Sequence, residues 1–465
     1  MSQQVTPGSG PPDEPASIER LPPELLLPIV SSLPDLDTLW NLMRASPHTF
    51  RFFHCHAIAA IEGILSGPKS ILPPTVQELI RGVILARSNA LPFKNLSDFQ
   101  AHFMRRFLDL FPEEELELTP LGPGTLSVSN TTVAALLSVV ATAYQVSALS
   151  QACLASCLER SRALQVLHPV DPKICYTDDF DHPDEMIRAF DRKYPLAPAK
   201  MADAGQPTWM EEMRAVRAIW TIQMVGEMRR LSANKANMSW PEEDIDSLNQ
   251  MDLIDLLRAY RSNYGGEEIK SAMEYLTTLG EMTNDVYHRL PRPAPASPVT
   301  RWTTALPIPE DTTLVVCGYV KDRMIHRLAL GSPVPAGCRP MKVPKYSKDY
   351  SWGRTKTSLM FDSFGVDFFR EFTRNGVSRA ESPIAGVRFD CLRPFGFAFW
   401  DRWRMHLLGL APPVHIRNHH FYYFAWESIL PSEEVKNVKN ELRDEWWRSM
   451  AFYNSRLAAS HARER

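Results

Sequence analysis

Proline interrupts this chain 38 times in 465 residues, about 8% against a usual ~5%. Each proline lacks a backbone donor and holds φ near roughly −65°, so it ends helices and is kept out of sheet interiors. A chain punctuated this often folds from interrupted elements and loops, not from long strands. Its other proportions are those of an ordinary globular protein, with 44% hydrophobic and 23% charged residues. The length exceeds one ordinary core, which predicts two or three packing units.

The formal charge of −3 sets up no global field toward nucleic acid or an anionic membrane, and neither is expected as a partner. Seven cysteines stand at 55, 153, 157, 175, 317, 338 and 391. Their number is odd, no Cys-x-x-Cys occurs, and nothing like a secretory signal precedes them. Free thiols in an intracellular compartment, cytoplasm or nucleus, are expected. The apolar window at 133–149, VAALLSVVATAYQVSAL, is short and dotted with Ser, Thr and Gln, and reads as a buried core helix. Residues 1–17, rich in Gly, Pro, Ser and Gln without an apolar period, read as a disordered leader.

Residues 21–53, LPPELLLPIVSSLPDLDTLWNLMRASPHTFRFF, carry three short apolar runs. Pro22 and Pro23 suit a first helical turn. Leu25, Leu26, Ile29, Val30 and Leu33 then follow on one helical face. Pro28 falls inside this run, so the helix either starts late, with Pro28 in its first turn, or is kinked. Leu36, Leu39, Leu42 and Met43 make a second face. Ser46 is an N-cap ahead of Pro47, and Phe50, Phe53, Ala57, Ile61 and Ile64 continue as a third stripe. Helices this short must pack on one another.

This stretch resembles the F-box, a three-helix module whose pattern opens Leu-Pro-x-Glu-Leu and closes with Ser followed by an aromatic residue. The resemblance implies docking on a Skp-type adaptor and, through it, a cullin-based ubiquitin ligase, while the remaining chain captures a protein substrate. By position it implies adaptor contacts from Leu21, Pro22, Leu25, Leu26, Ile29 and Leu33, with Ser46 and Phe50 matching the motif's end. Leu25, Leu26 and Ile29 are expected to be partly exposed. The chain departs from the pattern at Pro28, by one extra residue in LPDLDTL, and in RASPHTF, where a Val-Ser-basic-basic run is common. An interaction scaffold with a degenerate F-box that binds no adaptor is therefore the alternative.

Residues 67–289 read as a helical domain. In PTWMEEMRAVRAIWTIQMVGEMRRL, Thr208 and Glu211 form a capping box ahead of a stripe of Met213, Val216, Trp220, Met224, Met228 and Leu231. Arg229 and Arg230 close it. Ile269, Met273, Leu276, Leu279, Thr283 and Val286 trace another helix. Residues 290–311 are Pro-dense and read as a linker or surface crossing. In the mixed region 312–465, TTLVVCGYV at 312–320 is the one convincing strand, and SLMFDSFGVDFFREFTRNG returns to helix. Pro431, Ser432, Glu433 and Glu434 open a last helix whose stripe, Val435, Val438, Leu442, Trp446, Met450, Tyr453 and Leu457, is expected to pack across the body. PTWMEEMRAVRAIW and LRPFGFAFWDRWRMHLLGL are similar to segments of fungal F-box-like proteins, which implies an architecture but brings no substrate. The expected fold is mainly α: a three-helix F-box-like module at 18–66, a helical body, and an irregular, aromatic-rich C-terminal part with little strand. No leucine-rich, WD or kelch period occurs.

Candidate chemistry is sparse. TDDFDHPDE at 177–185 lacks the Gly and the bidentate Glu of a calcium loop, and reads as a solvated acidic loop. HIRNHH sets His415 and His419 four residues apart without the Glu of a His-Glu-x-x-His motif. HCH at 54–56 falls in the third helix, where consecutive side chains diverge. There is no Gly-x-Ser-x-Gly elbow and no phosphate-cradling Gly-rich loop. No catalytic residue, metal or cofactor is expected. An enzyme of unrecognised type is the alternative of another class, which one deep pocket with convergent polar groups would favour.

Overall fold

The computed structural model describes residues 18–103, 121–170, 194–199, 201–203, 205–233, 238–251, 256, 266–280, 290–291, 314–317, 324–327, 338–341, 363–373, 387–411 and 424–463. The described chain is mostly helical with little strand, as expected. It divides into two compact units, one comprising residues up to Pro92 together with Pro120–Gln145, the other comprising Phe93–Thr119 and Val146–Arg465. The leader, the acidic run at 177–185 and the His415–His419 pair lie outside the described residues.

In the first unit α1 (Pro23–Ser31), α2 (Leu36–Ala45), α3 (Pro47–Ser66) and α4 (Pro74–Arg87) follow one another through short turns. Each start has an identifiable cause. Asp35 caps α2, its carboxylate accepting from the Thr38 N–H at 2.9 Å and the Thr38 hydroxyl at 2.6 Å. Ser46 caps α3, accepting from the Thr49 N–H at 3.0 Å, with Pro47 at the first helical position. Leu36, Leu39 and Met43 of α2 and Phe52, Phe53, Ala57, Ile61 and Ile64 of α3 form the core. The end of α1 comes so close to α3 that a Cβ on Gly63 would lie 2.6 Å from Ser31 Cβ, so this crossing requires glycine. From α4, Arg81 is buried yet fully engaged. It donates to both Glu62 carboxylate oxygens, at 3.1 and 2.8 Å, to Ser66 Oγ at 2.7 Å and to the Leu121 carbonyl at 3.1 Å. Nothing in the hydrophobic pattern announced this buried cation.

Helix α6 (Val133–Ala163) contributes residues to both units. By length and composition it could cross a membrane, with a mean hydropathy of 1.6 in its most apolar window, half of which is buried.

The second unit includes α5 (Leu96–Phe103), α7 (Trp209–Ser232), α8 (Glu242–Gln250), α9 (Glu267–Thr278), α10 (Phe364–Thr373), α11 (Arg402–Leu407) and α12 (Ser432–Arg463), with 3-10 turns at Phe389–Phe395 and Trp426–Ser428. The expected strand appears as β3 (Leu314–Cys317). It is central in an antiparallel sheet between β4 (Met324–Arg327) and β5 (Cys338–Met341), with Leu314 opposite Arg327 and Met341. Those partners were not expected, because four-residue strands such as MIHR and CRPM show too few alternations to read. A smaller pair joins β1 (Leu167–Pro169) to β2 (Leu196–Pro198).

The Thr208–Glu211 capping box closes at both ends: Thr208 Oγ1 accepts from the Glu211 N–H at 3.3 Å and Glu211 Oε2 from the Thr208 N–H at 2.8 Å. The helix it starts is buried on every side, not along one stripe. Glu211, Glu212, Arg214, Arg217, Gln223 and Glu227 are buried along with Met213, Trp220 and Met224. Two other expectations need correction. Helix α9 ends at Thr278 and leaves Leu279 exposed, so the stripe does not run on; Thr283 and Val286 lie outside the described residues. Helix α12, about 48 Å long at 1.5 Å per residue, does not bury the whole of its expected stripe. Val438 and Leu442 are buried, but Tyr453 is 59% exposed, with Trp447 at 61% and Phe452 at 63%. The side chains of Trp446 and Leu457 lie outside the description.

Segment 393–404 is held to α6 and α7 by its backbone carbonyls. The Phe395 carbonyl accepts from Ser161 Oγ and from Trp400 Nε1, both at 2.6 Å, and the Phe399 carbonyl from Arg214 Nη1 at 2.7 Å. Gly396 takes a left-handed φ of +75°, and a Cβ there would strike the Trp400 ring. Cys55, Cys153, Cys157 and Cys391 are free thiols.

Candidate docking surface

Helix α1 positions the residues that the F-box resemblance points to. The Pro22 carbonyl accepts from the N–H groups of Leu25 and Leu26, both at 3.0 Å, so the helix starts at Pro23 and not late at Pro28. The helix passes through Pro28, whose missing N–H leaves the Glu24 carbonyl without its usual donor. The following Ser32 hydroxyl donates back to the Pro28 carbonyl at 2.8 Å.

At about 100° per residue, α1 carries apolar side chains on two flanks. Leu26 and Val30 point inward and are fully buried. Leu25 and Ile29, on the other flank, are 55% and 43% exposed. Leu33, just past the helix, is half-buried, as is Leu21; Pro22 is exposed. The Leu21 carbonyl lies 2.9 Å from His48 Nε2, which ties the chain entering α1 to the first turn of α3. The expected partial exposure of Leu26 is therefore corrected. The module's own core claims that side chain, so the candidate outer face is built from Pro22, Leu25 and Ile29.

Phe50 was placed in the inward stripe of α3 but is 39% exposed, its ring edge-on to His54 at 4.8 Å. The reason was present in the sequence. Phe50 and Phe52 lie about 200° apart around a helix, so one must face away when the other is buried. Phe52 is the buried one. Exposed apolar side chains are thus contributed by both α1 and the start of α3. Soluble proteins expose single apolar residues routinely, but clustered ones mark contact surfaces.

The HCH run shows diverging side chains. His54 and Cys55 are exposed, while His56 stacks on Phe52 at 4.7 Å. Among the described residues no three His, Cys, Asp or Glu side chains converge on a metal position.

Among the described residues of the second unit, several charged side chains are buried on and around α7. Arg404 Nε donates to both Glu211 oxygens, at 2.8 and 2.9 Å, while its Nη2 donates to the Gln206 carbonyl at 2.7 Å. Arg217 pairs with Glu268 at 2.7 Å and Arg393 with Glu267 at 2.7 Å. Asp401 caps α11, accepting from the Arg404 N–H at 2.9 Å. Burial, then the nearby Glu211 carboxylate, pushes its carboxyl up to about 6, against the pull of Arg404 and Arg214. Although part of Asp401 reaches the surface, its carboxylate sits within this group. These contacts join α7, α9 and the 393–404 segment, and give Glu211 and Arg217 of α7 a structural task. No family model matches the chain, no curated protein matches it, and no solved structure matches it.

Proposed function

We propose that the N-terminal module docks on a Skp-type adaptor through the outer flank of α1, attaching the remaining chain to a cullin-based ubiquitin ligase in the cytoplasm or nucleus. The rest of the chain then captures a protein substrate for ubiquitin transfer and performs no covalent chemistry itself. The observation that carries this reading is the exposure of Leu25 and Ile29 on a helix whose adjacent flank, about 100° round, already fills the module's own core. Fully burying such a side chain is worth about 1.5–3 kcal/mol, and these two have roughly half of that still to gain from a partner.

Titration calorimetry against a purified Skp-type adaptor tests it. The Leu25→Asp/Ile29→Asp protein should keep its unfolding midpoint and lose binding, because the charges would enter an apolar contact. Leu26→Asp should instead lower the midpoint. Pro28→Lys, which restores a helix donor, should tighten binding. A folded parent that gives no heat of binding at roughly 10–50 μM would leave a scaffold with an F-box-like end and no adaptor.

A further inference from the structure

Helix α6 carries Cys153 and Cys157 one turn apart, on the part that belongs to the second unit. Both are free thiols, Cys153 fully enclosed and Cys157 6% exposed. Their sulfurs face each other: a hydrogen bond with Cys157, then burial, holds the Cys153 thiol well above its usual range. Two further groups stand near them. Arg160, exposed and one turn beyond Cys157, pulls the Cys153 thiol the other way. Tyr275 of α9, half-buried, lies within electrostatic reach of both sulfurs.

Geometry and charge separate the uses such a pair could have. As nucleophiles these groups are poor, because reactivity needs an accessible thiolate and burial keeps them protonated. As a disulfide they are misplaced. Residues four apart on a helix have Cβ atoms about 5–6 Å apart, whereas a disulfide needs about 3.5–4.5 Å. The helix runs on from Val133 to Ala163, so nothing draws the two closer. A metal ion between the sulfurs fits instead, since two bonds of about 2.3 Å let them stand up to about 4.6 Å apart.

The number of ligands selects the ion. Among the described residues no third Cys, His, Asp or Glu joins the pair. Zn(II) seeks four ligands in a tetrahedron and is left short. Cu(I) is soft, prefers thiolate sulfur and is satisfied by two. We propose that Cys153 and Cys157 hold one Cu(I) ion between their sulfurs. Both thiol protons leave as the ion enters, and the copper stays Cu(I) throughout, so the ion and its two thiolates together carry one negative charge. Arg160 supplies the compensating charge beside Cys157, the less enclosed of the two ligands. The Tyr275 phenol is a donor suited to a thiolate sulfur, as outer partners of metal ligands commonly are.

Anaerobic titration of the full-length protein with Cu(I), in competition with a chromogenic Cu(I) chelator, tests this independently of adaptor docking. The parent should keep one more equivalent of Cu(I) than Cys153→Ala/Cys157→Ala, which removes any background held by the other cysteines from the comparison. Zn(II) at the same concentration should not displace that equivalent. Arg160→Gln should weaken it about tenfold while the unfolding midpoint stays parental, since the side chain is exposed. The inference fails if the chelator strips the parent completely, if the double variant keeps as many equivalents, or if Zn(II) takes the site. Should the double variant not fold, Arg160→Gln decides, and an affinity equal to the parent's overturns the site.

Discussion

Helices α7 and α12 look alike as sequence and differ as structure. Each has apolar residues at three- and four-residue intervals, acids in its first turn and arginines further along. Yet α7 is enclosed on all sides, most of its charges included, whereas α12 buries Val438 and Leu442 in its first turns and exposes Trp447, Phe452 and Tyr453. Periodicity names the direction in which a helix is apolar. It does not say how far along its length a neighbour covers it, or whether the polar side is covered as well. The same distinction separates the two flanks of α1, where adjacent leucines at 25 and 26 have opposite environments.

The largest effect should come from the aromatic core of α7. Trp220→Ala should cost about 3–5 kcal/mol in denaturant unfolding, as truncating a buried aromatic does, while Trp447→Ala should stay within about 0.5 kcal/mol. Similar losses at both positions would erase the contrast.

The buried ion pairs sharpen it next. Arg404→Ala removes the cation paired with the enclosed Glu211 carboxyl group and should cost about 3–5 kcal/mol. The exposed Arg162–Asp203 pair, 2.6 Å apart, should respond to Asp203→Ala by less than about 1 kcal/mol. An insensitive Arg404 would show that the charges of α7 are solvated after all.

A smaller effect depends on pH. Asp401 has a folded-state pKa near 6 against an ordinary 3.8. Its protonated form is therefore favoured by folding. The associated stability is present below about pH 4 and is lost as pH rises through about 6. Asp401→Asn, which keeps a good N-cap residue, should thus gain on the parent between pH 4 and 6. Above that it should hold an advantage of about 1–2 kcal/mol, reduced from the full linkage value by the residue's partial exposure. Unfolding free energies measured across that range decide it; a difference that does not change with pH rules out Asp401 as the titrating group.

Much of this fold was legible. The caps at Ser46 and Thr208 stand where the sequence placed them, because a cap is settled within four residues by one side chain and one N–H. The three N-terminal helices and the strand at 314–317 were legible for the same local reason. The candidate docking face was legible in part. Leu25 and Ile29 are exposed as expected, but Leu26 is not and Phe50 is, since each choice depended on which neighbour filled the core first.

Pro28, the capping residues and the helical periods were determined by local geometry, which the chain carries wherever it folds. Three other features were decided only by tertiary structure. Gly63 matters because the end of α1 crosses there, Arg81 is buried because Glu62, Ser66 and the Leu121 carbonyl converge on it, and Glu211 and Arg404 meet across 193 residues of sequence. No periodicity encodes such pairs. Their favourable energy exists only once distant segments have excluded water from the space between them.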